Sequence, residues 1–348
     1  NSAHVQLQIK MRLISVILCV FLSFCTIDGF KILCIAPAMS HSHYTLASTL
    51  AKDLAKRGHE VTILAPYKEK EPVENLRSLL LTGFVEEWDK VKETMNMFNT
   101  GNLPTILTLM QLGGMGGMLV DKTLGHEVVQ DLLNSNETFD AVILEHFISD
   151  GLRAIAYHFG AVPISFASTS PGTWTNHLVG NIDLPSYTTQ VYIESPIHTD
   201  FCKRIHNMLL YILQKLYDHL FFYPKQNAII HKYFPDFPHI YDLMYNTSLI
   251  LFSSDASFSE PVPKLPNMIE IGGFHVLPTK KLPEDLQKIL DNAKNGVVYF
   301  SMGSVLNSKD MPSEKRDAIL KSLSKLKETV LWKYEEELPG TPSNVIIR

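Results

Sequence analysis

The chain has 348 residues, enough for roughly two domains, and its 45% hydrophobic and 19% charged content is that of an ordinary globular protein with a large core. A net charge of −5 and a pI near 6.3, with no long Lys/Arg tract, remove the general electrostatic reason to expect DNA or RNA, so small molecules are the expected partners. Of four cysteines, Cys19 and Cys25 fall near the start, and Cys34 and Cys202 alone make no disulfide framework.

Residues 1–29 read as targeting sequence rather than fold. Lys10 and Arg12 precede an apolar run from Leu13 to Cys25, shorter than the ~20 residues a spanning helix needs. This is the pattern of a signal peptide leading to the endoplasmic reticulum lumen; an uncleaved anchor is the second reading. Asn1 to Lys10 precede Met11 without targeting character and are expected to be upstream sequence. The sequons at Asn136 and Asn246 fit a secretory route and are glycosylation candidates.

From Phe30 to Tyr67 the chain reads as strand, histidine-bearing turn, helix and strand. Lys31 to Ala36 is a short apolar run closed by Pro37. Leu46, Leu50 and Leu54 recur beside Ala47, Ala51 and Ala55 as one helix face, Gly58 stops the helix, and Val61 to Ala65 is the next run. This is a βαβ unit and predicts a parallel sheet. Glu69 to Asn134 has helical patterns and the cluster Gly113, Gly114, Gly116 and Gly117, and reads as a long insertion. No strand leads into that cluster and no Gly-Lys-Ser/Thr follows, so a loop or close helix packing is preferred to a nucleotide site.

A second α/β segment follows: a strand over Ala141 to Leu144 with Glu145 at its end, a helix over Asp150 to Phe159 capped by Gly160, and a strand over Val162 to Ala167. Ile205 to Tyr223 is an amphipathic helix with Met208, Leu209, Ile212, Leu213, Leu216, Leu220 and Phe221 along one side. Core is the leading reading for that side, and a membrane surface the second. Five prolines between Pro261 and Pro283 lead to a linker over residues 275–294, dividing a unit at 30–274 from one at 295–348. In the latter, Val297 to Phe300 is a strand, Ser301 to Ser304 a turn, Ile319, Leu320, Leu323 and Leu326 a helix face, and Val330 to Trp332 and Val345 to Ile347 later strands.

His43 stands between a strand end and a helix N-terminus, where ligands of open α/β sheets bind. The helix dipole there favours the neutral imidazole that a general base needs, and Glu145, at the same edge of another strand, can orient it. His41 is chemically equivalent by this argument. A metal-dependent hydrolase using His41 and His43 would need further ligands at successive strand ends, of which no clear eightfold series is visible. Two histidines merely solvating a helix start remain the bland reading.

Ser42-His43-Tyr44 followed by Arg57-Gly58-His59-Glu60-Val61-Thr62 resembles the amino-terminal signature of animal UDP-glycosyltransferases of the insect type, with the family's spacing of 14 positions from His43 to Arg57 (57 − 43). Phe139-Asp140 leading to Glu145, Phe300-Ser301-Met302-Gly303-Ser304, and Val330-Leu331-Trp332-Lys333-Tyr334 agree in order along Phe30 to Arg348. The resemblance implies an α/β fold of GT-B type with two facing Rossmann-like domains, acceptor on the first and UDP-sugar on the second. It implies inverting transfer to a hydroxyl of a small lipophilic acceptor, with His43 as base, UDP-sugar as co-substrate and no metal. Glu145 stands where the family commonly has Asp; it is one methylene longer and still able to accept the imidazole hydrogen bond. Ser301, Gly303 and Ser304 resemble the phosphate-side loop of the donor domain. The rest of the donor signature and a carboxy-terminal membrane helix would follow Arg348, so the second domain is expected to be incomplete and the chain weakly active or inactive. Membrane association of the complete protein and homo- or hetero-oligomers are compatible with the resemblance. A truncated form that binds lipophiles or partners without catalysis is the alternative function.

Overall fold

The computed structural model describes residues 29–94, 98, 104–188 and 200–348. The expected targeting segment, with Cys19 and Cys25, lies outside the described residues. In β1 (Lys31–Ile35), Leu33 and Ile35 enter one core cluster and Ile32 and Cys34 another, so the strand is buried on both faces. That is why it reads as an unbroken apolar run rather than an alternation. Helix α1 (His41–Lys56) lays Ala47, Ala51 and Ala55 on the sheet, with Leu46, Leu50 and Leu54 partly buried beside them. Gly58, at φ 93°, turns the chain in the left-handed region that side chains resist, and β2 (Glu60–Ala65) returns parallel to β1.

The segment read as an insertion contributes to the sheet. β3 (Leu76–Leu80) pairs parallel with β2 at the edge, a strand that Arg77 and Ser78 hid from the hydrophobic pattern. Helices α2 (Phe84–Thr94), α3 (Thr105–Gly125) and α4 (Glu127–Leu133) follow, then β4 (Ala141–Glu145), a 3-10 turn at Asp150–Leu152, α5 (Arg153–His158) and β5 (Val162–Ala167). Helix α6 (Phe201–Tyr217) runs on through a π turn (Asp218–Phe222) into α7 (Tyr223–Tyr233) and is followed by α8 (Ile240–Tyr245). β6 (Leu249–Phe252) and β7 (Met268–Glu270), which the sequence pattern did not separate from loop, complete a seven-stranded parallel sheet of order β3-β2-β1-β4-β5-β6-β7 among the described residues. Helix α1 covers one face, and the larger core with α3, α4, α5 and α7 fills the other.

Residues 275–283, within the expected linker, carry no helix or strand, whereas α9 (Glu284–Asn292) fills most of its remainder. β8 (Val297–Phe300), α10 (Ser313–Leu323), β9 (Thr329–Trp332) and β10 (Val345–Ile347) form a second, smaller parallel sheet of order β10-β9-β8. Trp332 is fully buried between Phe300 and Tyr334 and centres its own core.

The core reading of the 205–223 stripe is overturned. Met208, Leu209, Ile212, Leu216, Leu220 and Phe221 are 40–62% exposed among the described residues, and Asn207, Leu210, Tyr217 and Phe222 face inward instead. Polar bonds set this orientation. The Asn207 amide donates to the carbonyls of Pro185 and Thr188, and Tyr211 and Lys215 both reach Asp183. Turning this face outward would break these buried polar bonds and expose Leu210, Tyr217 and Phe222 in place of the stripe.

The glycine cluster lies inside α3 and realises the close-packing alternative. A Cβ on Gly113 would lie 2.1 Å from the Tyr217 hydroxyl, one on Gly116 2.3 Å from the carbonyl oxygen of Ile148, and one on Gly117 2.7 Å from the Lys225 side chain. The Gly116 contact is with backbone and cannot be relieved by a rotamer change. Gly116→Ala is therefore expected to lower stability by about 1–3 kcal/mol despite the better helix propensity of alanine, measured by urea unfolding against Gly114→Ala, whose Cβ meets open space.

Candidate functional site

The strand order places the topological switch between β1 and β4, whose outgoing segments leave for opposite faces of the sheet. In open parallel sheets the crevice at that point, at the carboxyl ends of the strands, is where ligands bind. His43 enters it from the first turn of α1, and Glu145 is the last residue of β4. The two side chains meet, His43 Nδ1 on Glu145 Oε1, in a short contact. The glutamate is 1% exposed and the imidazole 19%, so the ring is the solvent-facing member of the pair. The methylene by which Glu145 exceeds aspartate does not prevent the contact.

A carboxylate only accepts, so this bond places the proton of a neutral imidazole on Nδ1 and leaves Nε2 with its lone pair. Glu145 Oε2 is buried with no hydrogen-bond partner. The imidazole is thus the partner seen for this carboxylate, and a charge formed on the ring would be stabilised by it. Phe147, two residues beyond Glu145, packs its ring 4.6 Å from that of His43 and limits how the imidazole can tilt. Nothing in the sequence pattern singled it out.

His41 does not share this site. Its Nδ1 lies 3.2 Å from Thr45 Oγ1 and its ring packs edge-on to Tyr67. The open seven-stranded sheet also lacks the barrel geometry that a His-x-His metal centre presupposes. Among the described residues no group of three or more His, Cys, Asp or Glu is arranged to hold a metal ion. Cys34 is buried beneath α1, which pushes its thiol up to about 12.

The segment after Glu145 is held by groups the sequence did not flag. Ile148 has φ 50°, a left-handed conformation that is costly for a β-branched residue. Gln226 in α7, fully buried, donates to the Ile148 carbonyl at 2.9 Å and accepts from the Gly151 amide at 2.6 Å. Arg153 is buried with its Nε 3.3 Å from Asp150 and its two Nη atoms on Thr247 and Ser165. Burial alone would raise the Asp150 carboxyl, but His146 and Arg153 outweigh it and hold this carboxyl well below the usual carboxylate range. Nothing in the sequence spacing links Gln226 to position 148.

Ser301, Gly303 and Ser304 lie after β8 in the smaller sheet. Gly303 has φ 81°, its amide donates to Ser301 Oγ at 3.2 Å, and its carbonyl accepts from Lys333 Nζ at 2.9 Å. No hydrogen bond among the described residues joins this turn to the His43–Glu145 pair. Asn136 and Asn246 are exposed and precede β4 and β6, on the edge of the sheet opposite the crevice.

Asp218 opens the π turn, and burial pushes its carboxyl up to about 7, with Asp150 adding to the shift and Lys215 opposing it. Its folded value lies above the ordinary one, so the proton it keeps stabilises the fold at low pH. That contribution is lost as pH rises from about 4 toward about 7. Asp218→Asn is expected to melt on the order of 5 °C above the unsubstituted chain at pH 8, with the gap narrowing at pH 4.5, in differential scanning fluorimetry.

A family model described as UDP-glucoronosyl and UDP-glucosyl transferase matches residues 30–347. The chain is 32% identical over 333 residues to UDP-glucosyltransferase 2 of Dactylopius coccus, covering 93% of this chain and 62% of that protein. It is 25% identical over 350 residues to human UDP-glucuronosyltransferase 2B7, covering 94% and 64%. The chain therefore spans less than two thirds of the length of these relatives. Two solved structures, each 15% identical, share its fold over 92% of this chain. One is a UDP-glucosyltransferase from Polygonum tinctorium capable of glucosylating indoxyl, in complex with 3,4-dichloroaniline (TM-score 0.52, 71% of that chain). The other is Arabidopsis thaliana UGT89C1 complexed with UDP-L-rhamnose (TM-score 0.50, 70% of that chain). The two-sheet α/β architecture is thus the GT-B type expected from sequence.

Proposed function

Because this chain belongs to the UDP-glucoronosyl and UDP-glucosyl transferase family, we propose that the protein it represents transfers a sugar from a UDP-sugar to a hydroxyl of a small lipophilic acceptor, with inversion at the anomeric carbon. The observation that carries this reading is the contact of His43 with the buried carboxylate of Glu145 at the switch point of the sheet. Nε2 of His43 takes the acceptor proton as the acceptor oxygen attacks the anomeric carbon, and UDP leaves from the opposite face with the bonding pair. An α-linked donor becomes a β-glycoside. The imidazolium is paired with Glu145 until the proton is released to solvent.

In this reading residues 30–274 hold the acceptor and residues 295–348 contribute to the UDP-sugar site. Ser301 and Ser304 would offer hydroxyls, and Gly303 the close backbone approach, to the diphosphate. The charge on departing UDP is met by such hydrogen bonds and by a helix N-terminus. A chain extended to the length of the relatives provides the assay. With a phenolic acceptor, His43→Ala is expected to lower kcat roughly 10²- to 10⁴-fold, and Glu145→Gln to lower kcat with KM for the acceptor little changed. Full activity of His43→Ala on an acceptor that must lose a proton would remove the assigned base.

The leader pattern and the exposed apolar stripe of α6 and the π turn support a lumenal protein of the endoplasmic reticulum whose acceptor unit rests on the membrane surface. Among the described residues no helix is long and apolar enough to cross a membrane. Sedimentation with phospholipid vesicles is expected for the unsubstituted chain, and to fall severalfold for Leu209→Ser combined with Leu216→Ser, both exposed positions. Equal sedimentation of the two would argue against this placement.

A further inference from the structure

The sequon Asn246-Thr247-Ser248 closes α8 and leads into β6, and Asn246 stands at the rim of an open groove of about 560 Å³. Tyr157, Pro163, Pro238, Asp242 and Tyr245 are among the other lining residues. The groove lies between α5 and α8, beside the starts of β5 and β6, so it belongs to the edge of the sheet opposite the His43 crevice. Its size falls within the roughly 300–1,000 Å³ of sites that take small ligands.

The lining is apolar with one free charge. Tyr157 and Tyr245 are 51% and 61% exposed. Each has a ring neighbour in the fold, Phe237 at 5.0 Å for Tyr157 and Tyr241 at 6.2 Å for Tyr245, and the remaining surface of each ring is left to solvent. Asp242 is exposed, and no hydrogen bond or ion pair among the described residues engages its carboxylate. Arg153 also lines the groove, but it is buried and its guanidinium is committed to Asp150, Thr247 and Ser165. An anion such as a nucleotide would therefore meet a free carboxylate and no uncommitted cation among the lining residues. A neutral sugar matches the lining, because its C–H face packs on an aromatic ring and its hydroxyls donate to a carboxylate.

Asn246 is exposed, with no hydrogen bond on its side-chain amide among the described residues, so Nδ2 is free to carry a substituent. Resting on the lumenal reading above, we propose that Asn246 carries an N-linked glycan and that the groove is the seat of its first sugars, which cover Tyr157 and Tyr245 and bond to Asp242. Linkage joins Nδ2 to the anomeric carbon of a lumenal oligosaccharide donor; the donor's diphospho-lipid leaves with the bonding pair, and the amide gives up one proton. In the folded chain Ser248 is fixed by its amide on the Pro163 carbonyl at 3.0 Å and by Asn267 on its own carbonyl at 3.3 Å, so the sugar is added before β6 pairs with β5. Tethering then makes the contact intramolecular, and stacking too weak to hold a free sugar suffices to hold this one.

The test uses the full chain, with residues 1–29 in place, expressed in a eukaryotic cell line. Peptide mass spectrometry reads the occupancy of Asn136 and Asn246, and the rate of glycan release by a peptide-N-glycosidase is followed at each site in native and denatured protein. Asn246 is expected to be occupied and to be released roughly tenfold more slowly from the native chain than from the denatured one. Tyr157→Ala and Asp242→Ala lie outside the sequon and each remove one contact of the seat. Each is expected to quicken native release at Asn246 roughly three- to tenfold and to leave the denatured rate unchanged. Circular dichroism confirms the fold of each variant, and if one fails to fold the other decides. An unmodified Asn246 beside an occupied Asn136 overturns the inference and leaves the lumenal reading standing; modification of neither site overturns the inference and counts against that reading as well. Native release at Asn246 that the variants do not change also overturns the inference, and is the result if the glycan extends into solvent.

Discussion

Parallel pairing of β1 with β4, with Ile35 opposite Leu144, is the constraint on which the site depends. His43 and Glu145 are 102 positions apart and have no local reason to meet. Closing a loop of that length costs conformational entropy that grows only slowly with its size, and the two strands, buried on both faces, offset it. Because β1 goes on to β2 on one side and β4 to β5 on the other, right-handed crossovers send α1 to one face and α5 to the other. The crevice lies between these diverging segments, with His43 in the first turn of α1 and Glu145 at the end of β4.

The divergence has a cost in the backbone. Ile148 is held in a conformation that an isolated chain would avoid, and three unrelated elements hold it there. Gln226 bridges its carbonyl to the Gly151 amide, Gly116 lets α3 close over the same carbonyl, and Arg153 ties Asp150 to Ser165 on β5 and to Thr247 before β6. Glycine inside a helix costs about 1 kcal/mol relative to alanine, so α3 gives up intrinsic stability for closeness. Strain of this kind persists where the surroundings over-determine a conformation, and here it lies three residues from the carboxylate of the pair.

The two buried carboxylates on this segment are treated in opposite ways. Asp150 is surrounded by Arg153 and His146 and stays ionised, a structural charge with its compensation built in. Glu145 keeps one oxygen without a partner and lends the other to His43. A buried carboxylate with so little compensation would gain most from a charge arising on the imidazole, which is the electrostatic asymmetry the proposed role of His43 as base rests on.

Local pattern was enough for the elements that are buried on both faces or sharply stopped: β1, α1, β2, β4, β5, β8 and β9 were legible as apolar runs and periodic faces. It was not enough where polar contacts overrode periodicity. β3 was hidden by Arg77 and Ser78, and α6 turns Asn207, Leu210 and Tyr217 inward, leaving its apolar stripe outside. Position at element boundaries marked Glu145 and left His41 and His43 equal candidates; it was the family's spacing from His43 to Arg57 that singled out His43. Phe147, Ile148 and Gln226 were decided by tertiary structure. Their roles rest on which ring or backbone carbonyl a distant side chain reaches, and that does not exist until the strands have paired and the helices have closed over them.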